Sequence, residues 1–357
     1  MTNANPDIFD PVKSKNVPFL DVEMKYPFYH QNNKLAISYW ALPKICKFST
    51  NRFQSLLSQR NWKEFLKEEK NQNKIDEFLL YSKVFVLTNP DNYSSWNQLK
   101  ECALKNIISL QDSLSLVRLA LSKNAKSGCT WSHLKFILTK MLKENQKIDF
   151  FKEIAFCLKC SSHYPKNYHS WTHKIWLIKL MNEKERYQMI KTQLREQMKE
   201  YLQKHISDNC VYQFRFFLLL SLLNENSSDD NFEIFKEKFK NNKHFELVLK
   251  GDFEILLLEE FDLLKKILIN YPGHESSWLH FRNLLLISLK IRLERISSLF
   301  FEFIQEEKKK SNQNLQFILR ISVYIDLIQN NSLVNQRESL SLLKELSYLQ
   351  IWKNFHK

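Results

Sequence analysis

Tyr164-Pro165-Lys166-Asn167-Tyr168-His169-Ser170-Trp171-Thr172-His173-Lys174-Ile175-Trp176 lies between two apolar stripes of helical period. Upstream, Phe151, Ile154, Ala155 and Leu158 share one helical face; downstream, Ile175, Leu177, Ile178 and Met181 begin another. The stretch therefore predicts a corner between two helices. Pro165 helps end the first, because the residue before a proline is pushed out of the α region. Asn167 is placed to cap the second, its side-chain oxygen accepting from a backbone N–H that has no partner inside the helix.

The corner recurs. Asn89-Pro90-Asp91-Asn92-Tyr93-Ser94-Ser95-Trp96 is a first copy, and Asn124-Ala125-Lys126-Ser127-Gly128-Cys129-Thr130-Trp131 a second. The quoted stretch is the third, Ser207-Asp208-Asn209-Cys210-Val211-Tyr212 a fourth, and Tyr271-Pro272-Gly273-His274-Glu275-Ser276-Ser277-Trp278 a fifth. The aromatic anchors Trp96, Trp131, Trp171, Tyr212 and Trp278 step by 35, 40, 41 and 66 residues. Periods of about 34 to 47 mark arrays of helical hairpins, and the long last step leaves room for an inserted helix between Phe232 and Leu249. Four residues before the anchors stand Asn92, Ser127, Asn167, Asp208 and His274, of which the first four are good cap types. The anchors are expected in the core, each locking its own hairpin.

Composition supports an all-helical reading. Three glycines and eight prolines in 357 residues are too few for the turns of a sandwich or the phosphate loops of a doubly wound sheet. Residues 1–20 are expected as a flexible N-terminus. Residues 21–357 are expected as a single helical-repeat domain, its five repeats at about 73–300, with helical caps at both ends. The N-terminal cap is read as two or three short helical segments around Trp40 and from Phe53 to Trp62.

Six scattered cysteines suggest no disulfide framework and point to a reducing compartment. Met1 to Pro18 has no apolar core like that of a signal peptide, and the longest apolar runs fall short of the roughly 20 residues needed to cross a bilayer. A cytoplasmic location is expected. The formal net charge is +14, but Lys and Glu are interleaved along many helices, the mark of solvated faces, and nucleic acid is not an expected partner. Cys157-x-x-Cys160 with His163 lacks a second ligand pair, and His169 and His173 have no Glu between them, so no metal site is expected in this chain.

The recurring Pro-x-Asn-Tyr-x-x-Trp-x-x-Arg/Lys pattern resembles the signature repeat of protein prenyltransferase α subunits. The third repeat matches closely, the first and fifth well, the second and fourth in outline. The resemblance implies an all-α, right-handed alpha-alpha superhelix, a solenoid of helical hairpins that wraps a catalytic β subunit. Within the family the likeness is to a divergent branch, implying the α subunit of a type III geranylgeranyltransferase. Such a subunit pairs with a Rab geranylgeranyltransferase β subunit and serves transfer of a geranylgeranyl group to an already farnesylated SNARE. No cofactor is then expected in this chain, and any zinc belongs to the β subunit. Residue by residue, the resemblance carries a diphosphate-stabilising lysine onto Lys126 and places Lys166, Tyr168 and His169 beside the lipid diphosphate. Negative charge builds on that leaving group in the transition state, so fixed cations and donors lower the barrier.

This sequence departs from the pattern in two places. The second repeat has Ala125 and Gly128 where the pattern has proline and tyrosine. The basic residue expected three positions after each anchor is kept only as Lys174 and Arg215, the other positions being Leu99, Leu134 and Phe281. A non-enzymatic scaffold that binds protein partners is the alternative reading of the same array.

Overall fold

The computed structural model describes residues 28–31, 34–57, 72–223, 243–290, 292–310 and 314–330. The expected N-terminal segment 1–20, Trp62, and 232–242 of the expected insertion lie outside them. Two compact units divide at Met181 and Asn182. The first opens with a two-stranded antiparallel hairpin, β1 (Phe28–Gln31) and β2 (Lys34–Ile37), with Phe28 paired to Ile37 and Gln31 to Lys34. Around Trp40, where short helical segments are expected, these strands stand before it and a helix after it. Phe28 and Tyr29 favour the extended chain.

The other described elements of the first unit are helices: α1 (Leu42–Leu57), α2 (Gln72–Thr88), α3 (Tyr93–Leu104), α4 (Leu110–Lys123), α5 (Gly128–Lys143), α6 (Phe150–His163) and α7 (Tyr168–Leu180). The second unit has α8 (Glu183–Thr192), which runs through a π turn (Gln193–Gln197) into α9 (Met198–Lys204). It continues with α10 (Asn209–Leu223), α11 (Lys243–Asn270), α12 (Glu275–Lys290), α13 (Glu294–Lys309) and α14 (Leu315–Asn330). This is the expected all-α, α–α class of stacked hairpins, with the β hairpin as an addition. The region of the expected inserted helix, where described, is the start of α11, one unbroken helix of 28 residues.

Each predicted cap is in place. Asn92 accepts from Ser95 N at 2.8 Å, Ser127 from Thr130 N at 3.3 Å, Asn167 from Ser170 N at 3.3 Å and Asp208 from Cys210 N at 2.9 Å. The other helix ends show how so few glycines suffice. α3 and α5 close with paired bonds, Ile107 N to Cys102 O and Asn106 N to Ala103 O, then Gln146 N to Met141 O and Asn145 N to Leu142 O. Asn106 and Asn145 take the left-handed conformation these closures need (φ 57° and 56°), a role asparagine fills at small cost.

All five anchors are at most 4% exposed. A ring of about 200 Å² removed from water contributes on the order of 5 kcal/mol before entropy is counted, so the anchors dominate each hairpin's core. A sixth corner follows them. Asn314 stands four residues before the fully buried Ile318, and the Phe317 and Ile318 amides bond back to its carbonyl. It carries no aromatic anchor for a sequence pattern to find.

Candidate functional site at the corner edge

The corners do more than turn the chain. In three of them the anchor's polar tip donates to the carbonyl six residues behind it: Trp96 Nε1 to Pro90 O at 2.7 Å, Trp131 Nε1 to Ala125 O at 2.7 Å, and Tyr212 Oη to Ile206 O at 3.0 Å. In the first unit the same carbonyls receive the next repeat's cap. Ser127 Oγ donates to Pro90 O at 3.0 Å, and Asn167 Nδ2 to Ala125 O at 2.7 Å. One cap residue thus serves its own helix with one atom and the preceding corner with another. The N-termini of α3, α5 and α7 are thereby held side by side at one edge.

The residues expected at the site lie along this edge. Lys126 and Lys166 are exposed, each immediately before a cap that bonds to the preceding corner. A cation here faces free helix N–H groups that already favour an anion. Lys166 adopts φ 60°, the conformation taken by Gly273 (φ 86°) at the matching place in the fifth corner. Tyr168 is the first residue of α7, half-buried, with its ring edge-on to His169 at 5.7 Å.

His169 is turned toward the second corner. A Cβ built on Gly128 would stand 3.0 Å from the imidazole Cε1. The loss of the pattern's tyrosine at position 128 therefore makes the room that the imidazole occupies. Burial pushes the His169 pKa down and the Asp91 carboxylate opposes it, so the ring also senses the first corner. Cys129 Sγ donates to Asp91 O at 3.4 Å, a further tie between the first two corners.

Beneath the edge, a second set of residues links repeats. His133, His173 and His280 each stand two positions after an anchor, and each packs on the anchor of the preceding repeat. The ring centroids are 4.6 Å apart for Trp96 and His133, 5.2 Å for Trp131 and His173, and 5.7 Å for Tyr212 and His280. Burial pushes His133 and His173 down to about 3, with Lys100 and Lys135 respectively adding to the effect, so both are neutral at pH 7. The signal was Trp-x-His at three corners. It is legible in the sequence, where His173 is expected as a satisfied or surface histidine and not as a metal ligand.

The two basic residues kept three positions after an anchor point inward. Arg215 is buried and forms a two-pronged ion pair with Glu260, whose Oε1 lies 2.8 Å from His280 Nε2. Burial raises the Glu260 pKa, but Arg215 and His280 outweigh it and hold the carboxyl at about 2. The arginine kept at this position thus reaches a carboxylate 45 residues along the chain. Lys174 is buried with its Nζ 5.2 Å from the Trp171 ring centroid, and burial pushes its amine down to about 7.

Burial pushes the Cys157 thiol well up and that of Cys160 to about 12, the character of packing groups rather than ligands. Among the described residues, no group of three or more His, Cys, Asp or Glu is placed to hold a metal ion. No helix among them is long and apolar enough to cross a membrane.

The model of the protein prenyltransferase alpha subunit repeat matches residues 110–141 and 150–181, the α4–α5 and α6–α7 hairpins. Protein prenyltransferase alpha subunit repeat-containing protein 1-A of Xenopus laevis is 27% identical over 77% of this chain and 68% of its own length. The human protein prenyltransferase alpha subunit repeat-containing protein 1 is 26% identical over 72% of this chain and 68% of its own. A solved structure, the Candida albicans protein geranylgeranyltransferase-I complexed with GGPP, is similar over 78% of this chain and 82% of its own, with 20% identity and a TM-score of 0.49. The chain thus carries two hairpins that match the protein prenyltransferase alpha subunit repeat, and it is similar over about three quarters of its length to the repeat-containing proteins of that name.

Proposed function

We propose that this protein is the accessory α subunit of a cytoplasmic protein prenyltransferase of the type III geranylgeranyltransferase kind. In this reading it holds a Rab geranylgeranyltransferase-like β subunit, and the β subunit binds geranylgeranyl diphosphate, carries any zinc and transfers the lipid to a cysteine of a SNARE-type acceptor. The observation that carries the proposal is the corner edge, where prenyltransferase-type repeats hold three helix N-termini together with Lys126 and Lys166 exposed beside them. Lys126 and Lys166 would steady the diphosphate as the carbon–oxygen bond breaks, with Tyr168 and His169 shaping the rim of the lipid pocket. The left-handed lysine supports a role for that side chain, since backbone strain is retained where something selects for it.

The test is co-expression with prenyltransferase β subunits, one at a time, followed by transfer of labelled geranylgeranyl to cysteine-bearing acceptors. The expected result is a one-to-one complex that transfers lipid, with the rate reduced by Lys126→Ala while the complex survives. An array that assembles with no β subunit is the non-enzymatic scaffold instead.

A further inference from the structure

Three neighbouring helices of the first unit are basic and poor in acidic residues. α5 and α7 contain no Asp or Glu, and α3 contains only Glu101. Elsewhere lysine is commonly interleaved with glutamate. Because α3, α5 and α7 pack side by side with their N-termini together, residues at equal distances from the anchors form rows across the three. One such row holds Lys100 and Lys135, four positions after Trp96 and Trp131.

Each of these lysines crosses to the aromatic of the following helix. Lys100 Nζ lies 5.6 Å from the Phe136 ring centroid, and Lys135 Nζ 5.4 Å from that of Trp176. Lys179 follows Trp176 by three residues on the same helix and is exposed. Its amine is partly covered, and this burial, followed by the charge of Lys135, pushes it down, as two like charges on one patch would. Leu104 and Leu180, at the far ends of α3 and α7, are 53% and 41% exposed.

We propose that the face of Lys100, Lys135, Phe136, Trp176 and Lys179 is a docking surface for an acidic, leucine-bearing helical segment of a partner protein. The lysine row matches the carboxylates of such a segment, and the exposed leucines match its apolar side chains. Single-stranded nucleic acid fits less well, because it binds by stacking bases on ring faces and here lysine ammonium groups already stand over those faces. This inference is independent of assembly with a β subunit.

The experiment uses the full chain and three probes: a labelled peptide of repeating Glu-Glu-Leu-Leu, the same peptide with Gln for Glu, and a single-stranded poly-uridylate oligonucleotide. Lys135→Glu/Lys179→Glu reverses two of the three lysine charges on this face, and Lys74→Glu/Lys199→Glu makes the same change of net charge at two exposed lysines elsewhere. The expected result is binding of the Glu peptide, weakened by more than about tenfold in the first variant and little changed in the second, with the Gln peptide bound poorly. Equal losses in both variants would reduce the effect to net charge and overturn the proposal. So would equal binding of the two peptides, or retention of the oligonucleotide in place of the Glu peptide.

Discussion

At the third corner a lysine holds a backbone conformation that the fifth corner gives to glycine. For a residue with a Cβ that conformation costs roughly 1 kcal/mol or more. Lys166→Gly is therefore expected to raise the urea midpoint slightly, by the equivalent of about 0.5–1 kcal/mol, while lowering lipid transfer by the assembled complex. Gain on one axis with loss on the other is the signature of a side chain kept for function, and a gain without loss would remove Lys166 from the site. Trp131 is the structural counterpart. Trp131→Phe keeps the ring but leaves Ala125 O with the Asn167 amide alone, and should cost about 1–3 kcal/mol in denaturant unfolding. The anchors were legible in the sequence because a large aromatic at fixed spacing is conspicuous. The carbonyl six residues back was not, because a backbone acceptor leaves no mark in the residue types.

The helices were legible to within a few residues wherever a cap and a periodic stripe coincide, as at Asn92 with α3 and Asn167 with α7. The β hairpin was missed because four-residue strands carry too little pattern, and the sixth corner because Ile318 stands where an anchor should. Links between elements were legible only in part. That a basic residue is kept at Arg215 was legible from its register, but its partner Glu260 lies 45 residues away and nothing local selects it. This ion pair ties α10 to α11 and, through His280, to α12. Arg215→Met would leave a buried carboxylate without its main partner and is expected to cost about 3–5 kcal/mol. Arg215→Met/Glu260→Leu should recover most of that stability, so a double variant as unstable as the single one would refute the assignment.

Within the first unit as a whole, stacked hairpins are coupled by the buried neutral His133 and His173, and this makes the unit sensitive to acid. His133 and His173 fall to about 3 in the folded chain, against about 6.5 when unfolded. The unfolded chain thus binds more protons between those values. Stability is complete above pH 6.5 and declines as pH falls toward 3, by about 1.4 kcal/mol per pH unit for each histidine once well inside that window. Urea midpoints at pH 7 and pH 5 should show the decline, and His173→Asn should flatten it.

The claim that organises the account is that the corner edge belongs to a prenyltransferase assembled from two chains. The most direct measurement is lipid transfer by this protein co-purified with a β subunit, compared with each chain alone. The account predicts transfer of geranylgeranyl to a cysteine acceptor only by the complex, at a rate reduced by Lys126→Ala with the complex intact. Failure to assemble with any β subunit, or a complex that transfers no lipid, would contradict it.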